Sequence, residues 1–497
     1  MATTHGKGGL AKSALAIFFL CLTASPGRTQ STQEIVSALR SHQYTQALDL
    51  AEKAIKSNPR SAQILTLEAL ALKGLGREPE ALTAFRHALQ IDPDYLAALE
   101  GAAQIEYATA NPAAIPLLDR LLKLRPDDAT ANAMRAVMAW NQHDCATALR
   151  HFERSQSLLP SQPDALREYG ICLVKANRLE PAAQAFQQLV SADPANRAAR
   201  RSLAAVQMME EHWQAALESL QPLLAGDPDS EALAIASAAY EALGETPQAV
   251  AALRQAIVLS PRNVRLYVDF ANLSFAHQSW DAGIQMLNAG LKLTPDSAEL
   301  HLARGILYVQ MGQAEKADAD FAVAERLDPR QRGTADARVL EYLQQNNLDA
   351  AVALVREQIK ARPGDAFLYY LLAESINWQG PPPASPQFRQ ALEAARKAVQ
   401  LQPSLTLARN LLSRLYLDSG QVKTAIEECR AILRTDPHDP VALYRLMRAL
   451  KASGDPKDAQ EIPDVVRRFN EARELENKRE AQENRYRLVE AAPGAAK

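Results

Sequence analysis

The chain has 497 residues, a formal net charge of −3, and 47% hydrophobic but only 6% aromatic side chains. A balance this close to neutral offers no basic surface for a polyanion, which argues against nucleic acid as a partner. The length alone would suit about three ordinary domains.

The first thirty residues stand apart. Lys7 and Lys12 precede an apolar run from Ala14 to Leu22, and small and turn-forming residues follow through Gly27. That order, charged then apolar then small, is the order of a secretory signal peptide, here residues 1–27. The run is short for a spanning helix, which takes ~20 apolar residues. An N-terminal anchor that stays uncleaved is the alternative. Phe19 and Leu20 precede Cys21 where a lipoprotein signal would carry a small residue, so lipidation is not expected. The mature chain is expected to be exported, periplasmic or secreted. It would meet a membrane only through that anchor or through a partner.

From residue 28 a single rhythm takes over. Prolines stand at 59, 93, 126, 160, 194, 228, 261, 295, 329, 363, 403 and 437, with eight gaps of 34, two of 33 and one of 40. Proline has no amide hydrogen and pushes its predecessor out of the helical region, so each one ends a helix. A fixed period of this length marks stacked supersecondary units. Twelve residues before the prolines stand small side chains, as at Ala47, Ala81, Ala182, Gly283 and Ala425. Small residues let helix axes approach to ~8–10 Å. Eight before stand large apolar ones, as at Phe85, Phe152, Leu220 and Phe321.

Each period holds two helices. Gly76, Asn177, Gly244, Gly312, Asn346, Gly420 and Gly454 are suited to the left-handed residue that closes the first. Ser61, Asp94, Asp128, Asn196, Ser230, Asn263, Ser297 and Asp365 are suited to cap the next. Pro163 and Pro440 fit the first helical position.

The small residue, the aromatic four later and the closing proline resemble the tetratricopeptide repeat. So do first-helix residues such as Leu166, Tyr169, Gly170 and Leu173. The array is similar to exported bacterial members of that family, although the family's Trp at the fourth site is absent. The resemblance implies an all-α fold, an α-solenoid coiled as a right-handed superhelix of twelve full units and a degraded thirteenth, over residues 28–473. Such units bury their apolar stripes only against neighbours.

Six extra residues in unit eleven fall in WQGPPPASPQ, a stiff turn insertion around residues 379–386. From Ala459 the pattern breaks at Pro463, and a charged helix follows, with residues 474–497 as its capping end and tail. Glu474 with Lys478 and Glu483 with Arg487 have the i,i+4 spacing that stabilises a helix.

No catalytic or metal pattern emerges. HExxH and paired CxxC are absent, and GKGGLAKS near the start lacks the Gly-Lys pair of a phosphate loop. The expectation is therefore a non-enzyme without cofactor, metal or small-molecule substrate, a scaffold that takes a protein or peptide partner. The alternative is an accessory subunit of an envelope polysaccharide-synthesis, transfer or secretion complex.

The resemblance also implies where a partner would lie, along the first helices that line the concave face. Its groove sites fall on Val268, Asn272, Phe275, Leu302, Ile306, Val309, Leu340, Leu343, Phe367, Tyr370, Trp378, Leu407 and Leu417 in units eight to twelve. Units five to seven mix in charge at Arg167, Lys175, Arg201, Glu231 and Glu241. Neither the Lys–Asn clamp of chaperone-binding relatives nor the asparagine ladder of sugar-transferring ones is present. Cys145 opens the second helix of unit four, and Cys172 lies on the first helix of unit five that packs against it. In an oxidising compartment the two can bridge; otherwise they bury separately as small apolar residues.

Overall fold

A computed structural model describes residues 30–225, 228–328 and 332–483. The signal-like segment and the chain after residue 483 lie outside the described residues. Among those described there are twenty-six α-helices and one short 3-10 turn, Leu159–Ser161, with no strand. Taken in order the helices form thirteen hairpins, from Gln30–Arg40 with Tyr44–Ser57 to Pro440–Ser453 with Pro456–Glu483. They fall into two compact units, Met1–Gly226 with hairpins one to six and Asp227–Lys497 with hairpins seven to thirteen.

Each hairpin closes on one residue of positive φ. Gly76, Asn177, Gly244, Gly312, Asn346, Gly420 and Gly454 do so as expected. The other six turns use His42, Ala110, His143, Glu211, Gln278 and Gly380. A side chain there costs roughly 1–2 kcal/mol in the left-handed region, a strain that the packing of the two helices must offset. The helix-stopping role of proline is equally plain. Asn58 before Pro59 and Asp436 before Pro437 leave the helix at φ −141° and −127°.

Most expected caps form: the side chains of Ser61, Asp128, Asn196, Asn263, Ser297 and Asp365 accept backbone amides of the helices they precede. Two do not. Asp229 caps hairpin seven by accepting from Ala232, and Ser230 is already the first helical residue. Asp94 accepts from Arg120 Nε at 2.6 Å instead, and the helix Leu96–Ala108 begins after an uncapped Tyr95. Nor does Pro463 break the chain: it lies inside the continuous helix Pro456–Glu483. That helix completes hairpin thirteen by burying Val465 and Ala472, with Ile462 and Phe469 packed beside them. Only then does it run on as the charged extension, where Lys478 pairs with Glu474 at 2.8 Å.

The core is a stripe rather than a ball. Ala47, Ala81, Ala114, Ala148, Ala182, Ala216, Ala249, Ala317, Ala351, Ala391 and Ala425 are all fully buried. Phe85, Phe152, Phe186 and Phe321 fill the space one turn on and are equally enclosed. Gly305 gives Phe321 its room, because a Cβ there would lie 2.5 Å from the ring.

In six hairpins a polar side chain stands where the family's fourth-site Trp is missing, and Leu or Ala stands there in others, as at Leu65, Leu99, Leu166 and Ala234. Asn132 Nδ2, Arg200 Nε, Tyr267 Oη, Tyr369 Oη and Arg409 Nε each donate to the carbonyl of the repeat proline six residues earlier, at 2.7–3.2 Å. His301 Nε2 lies 3.1 Å from the carbonyl of Pro295 in the same way. Four of these side chains also reach the second helix nineteen residues on: Asn132 to His151, Arg200 to the Ser219 carbonyl, His301 to Asp320 and Arg409 to Glu428. At these six stops a polar clip thus satisfies the carbonyl left by the proline, and in four of them it also ties the hairpin's two helices together. Hairpin thirteen has Leu443 at this site, and Arg468 from the last helix supplies the bond to Pro437 at 2.8 Å.

Candidate functional site

The first helices of hairpins eight and nine, Val264–Ala276 and Ala298–Gln310, are the clearest part of the expected groove. Asn263 and Ser297 cap them. Inward, Leu266, Tyr267, Phe270, Leu300 and Leu307 are buried. The remaining face opens on a cavity of about 200 Å³, lined by Val268, Ala271, Asn272, Phe275, Glu299, Leu302, Ala303, Ile306 and Leu307. Five expected residues therefore meet at one site: Val268, Asn272, Phe275, Leu302 and Ile306. Phe275 is 44% exposed there.

The other candidates divide. Leu340 is 44% exposed, and Trp378 and Leu407 are each 52% exposed. Phe367 and Tyr370 are half-buried, with ring centroids 5.6 Å apart, and they pack on the core of hairpins ten and eleven. Leu417 is half-buried against the C-terminal core. Two expectations fail. Leu343 is 5% exposed and joins Val339, Leu368 and Leu371 in the core. Val309 is likewise buried beside Phe321. Both stand at the twelfth site, near the end of the first helix, where Phe275 of hairpin eight stays open, so the site number alone does not set exposure.

Charge around these residues is largely committed. Burial raises the carboxyl of Asp269, and Arg265 at 3.8 Å partly opposes this. Burial and the nearby Glu374 push the Tyr370 hydroxyl up to about 12. Trp378 Nε1 donates to Glu374 at 2.9 Å. Glu241, expected among the groove charges, is held by His277 at 2.7 Å and by the Thr246 hydroxyl at 3.0 Å. Lys175 sits 5.6 Å over the Trp140 ring.

Sequence reasoning passed over three polar residues. Glu299 occupies the second site of hairpin nine and lines the cavity; the groove geometry pointed at it, but in hairpins eight to twelve only Asn272 was named beside the apolar side chains. Asp320 is buried under Arg304 and His301. Glu168, in hairpin five, is buried with Oε2 unpartnered.

Burial carries the Glu168 carboxyl from 4.5 up to about 7, and Arg167 opposes this only in part. Below pH 4.5 the folded and unfolded chains are both protonated here, and the group costs nothing. As pH rises the unfolded chain ionises first, so stability falls until the folded carboxyl has also ionised, above 7. Glu168→Gln is expected to stabilise the first unit by about 2 kcal/mol at pH 8 and to leave it unchanged at pH 4. Urea denaturation at the two pH values measures the difference.

In the first unit the structure joins Cys145 to Cys172 as a disulfide, with Cα atoms 5.1 Å apart. Cys429 is free and buried. Among the described residues no group of three His, Cys, Asp or Glu side chains is placed to hold a metal ion. No helix among them is long and apolar enough to cross a membrane.

Two family models described as tetratricopeptide repeat match the chain, one at residues 32–95, 106–163, 134–197 and 385–440, the other at 240–307 and 417–471. The chain is 28% identical over 156 residues to cellulose synthase operon protein C of Pseudomonas fluorescens, covering 31% of this chain and 12% of that one. It is 26% identical over 209 residues to mouse anaphase-promoting complex subunit 7, covering 34% and 36%. It thus spans only a minor part of either relative. Yeast Tom70 is similar in structure at a TM-score of 0.44 and 16% identity, covering 91% of this chain and 92% of Tom70. With family matches over more than half its length and thirteen helical hairpins closed in the same way, the chain belongs to the tetratricopeptide repeat family.

Proposed function

We propose that the protein is a non-catalytic scaffold that holds a segment of a protein or peptide partner along the first helices of hairpins eight to twelve. The observation that carries this is the set of large apolar side chains left open there: Phe275, Leu340, Trp378 and Leu407, each more than 40% exposed. They stand on the first helices of four hairpins, at sites the repeat geometry assigns to one face, where a bound segment would find an anchor in each. The site of action is the cell envelope or the exterior. The signal-like order of residues 1–27 supports this, as does a disulfide that persists in oxidising compartments.

A second reading makes the protein an accessory subunit of an envelope polysaccharide-synthesis machine, favoured by its similarity to cellulose synthase operon protein C. Affinity capture from envelope extract followed by hydrogen exchange on the reconstituted complex tests both. Slowed exchange along the first helices of hairpins eight to twelve supports the groove, and unchanged exchange there removes it. Recovery of a polysaccharide-synthesis assembly as the bound partner favours the second reading.

A further inference from the structure

We propose that the cavity between hairpins eight and nine is an anchor site for one large apolar side chain of the partner, and that the partner carries Lys or Arg immediately beside that side chain. The proposal rests on the groove reading above and specifies the chemistry of what binds. The cavity, at about 200 Å³, is smaller than the roughly 300–1,000 Å³ of small-molecule sites. It suits a single leucine, methionine or phenylalanine, seated against Val268, Phe275, Leu302 and Ile306.

The polar groups on its wall specify the rest. Asn272 is exposed, and its amide has no hydrogen-bond partner among the described residues, so it is free to bond a peptide backbone. The Glu299 carboxylate also has no partner among the described residues. The neighbouring cations are already matched. Arg265 lies 3.8 Å from Asp269, and Arg304 is fixed on both oxygens of Asp320 at 2.6–2.7 Å. Among the described residues the cavity therefore carries one uncompensated negative charge at an apolar seat. A basic residue next to the anchor complements it, and an acidic one is repelled.

The test is selection of a random dodecapeptide library displayed on phage against the full chain, followed by affinity measurement of synthetic versions of the winners. Enriched peptides should share a large apolar residue with Lys or Arg adjacent. Glu299→Lys and Phe275→Ala should each weaken them at least tenfold with helical content unchanged, and Glu299→Gln should weaken them less. Winners without a basic neighbour, or indifferent to Glu299 and Phe275 but weakened by Trp378→Ala, overturn the anchor site and leave the groove reading standing. Enrichment of nothing overturns both. Self-association that Phe275→Ala abolishes, with no peptide selected, overturns the proposal in favour of a second copy of this chain.

Discussion

Asp320→Ala is expected to destabilise the second unit by about 3–5 kcal/mol. Its carboxylate is 5% exposed and accepts three bonds, from Arg304 Nη2 at 2.6 Å, Arg304 Nε at 2.7 Å and His301 Nδ1 at 2.8 Å. Arg304 Nη1 continues to Asn288 at 2.6 Å, on the second helix of hairpin eight. The cluster therefore binds one hairpin to the next as well as the two helices of hairpin nine. Deleting the carboxylate strands a guanidinium that is only 21% exposed, and an uncompensated buried charge costs more than the pair contributed. Arg304→Leu in the same chain should recover much of the loss, because it removes the stranded charge. Urea denaturation followed by helical circular dichroism gives both values. A single-variant loss below about 1 kcal/mol would mean that the cluster is solvated like an ordinary surface pair.

Reduction of Cys145–Cys172 is the second large effect, and it falls on the first unit alone. The bridge closes a loop with a sequence separation of 27 and ties the second helix of hairpin four to the first helix of hairpin five. The chain-entropy model gives about 3.5 kcal/mol for a loop of this length. Hairpin four has particular use for the tie, since its second helix stops at Arg154, well before Pro160, and the chain reaches hairpin five through a 3-10 turn. Dithiothreitol, or Cys145→Ser with Cys172→Ser, should lower the urea midpoint of the first unit and leave the second unit's unchanged. Peptide mapping of protein recovered from its native compartment checks the premise, and two free thiols there would refute it.

Much of this fold was legible because its determinants are local. The repeat prolines stop their helices, and a small side chain at the close crossing is needed in every copy, so the period appeared in the letters. Turn closure was half legible. Gly76 and Asn177 announce a left-handed residue, but Ala110 and Gln278 adopt that conformation only because the two helices they join are already packed. The polar clips were not legible. Asn, Arg, Tyr and His perform one task with different atoms, and their partners nineteen residues on follow no common letter.

The site shows the same division. Position on a helix identified Val268, Asn272, Phe275, Leu302 and Ile306 as neighbours, since repeat geometry carries from one hairpin to the next. It failed at Leu343 and Val309, which share the twelfth site with the open Phe275 but pack into the core beside Leu371 and Phe321. Glu168 and Asp320 were missed because nothing in the letters separates a buried carboxylate from a solvated one.

The most direct test of the account is the affinity of a captured partner for the protein carrying Trp378→Ala and Leu407→Ala. Both side chains are more than half exposed, so their removal leaves the core intact. Exposed aromatic anchors are typically worth ~2 kcal/mol or more at an interface. The account predicts at least tenfold weaker binding with helical content and urea midpoint unchanged. Undiminished affinity would contradict it.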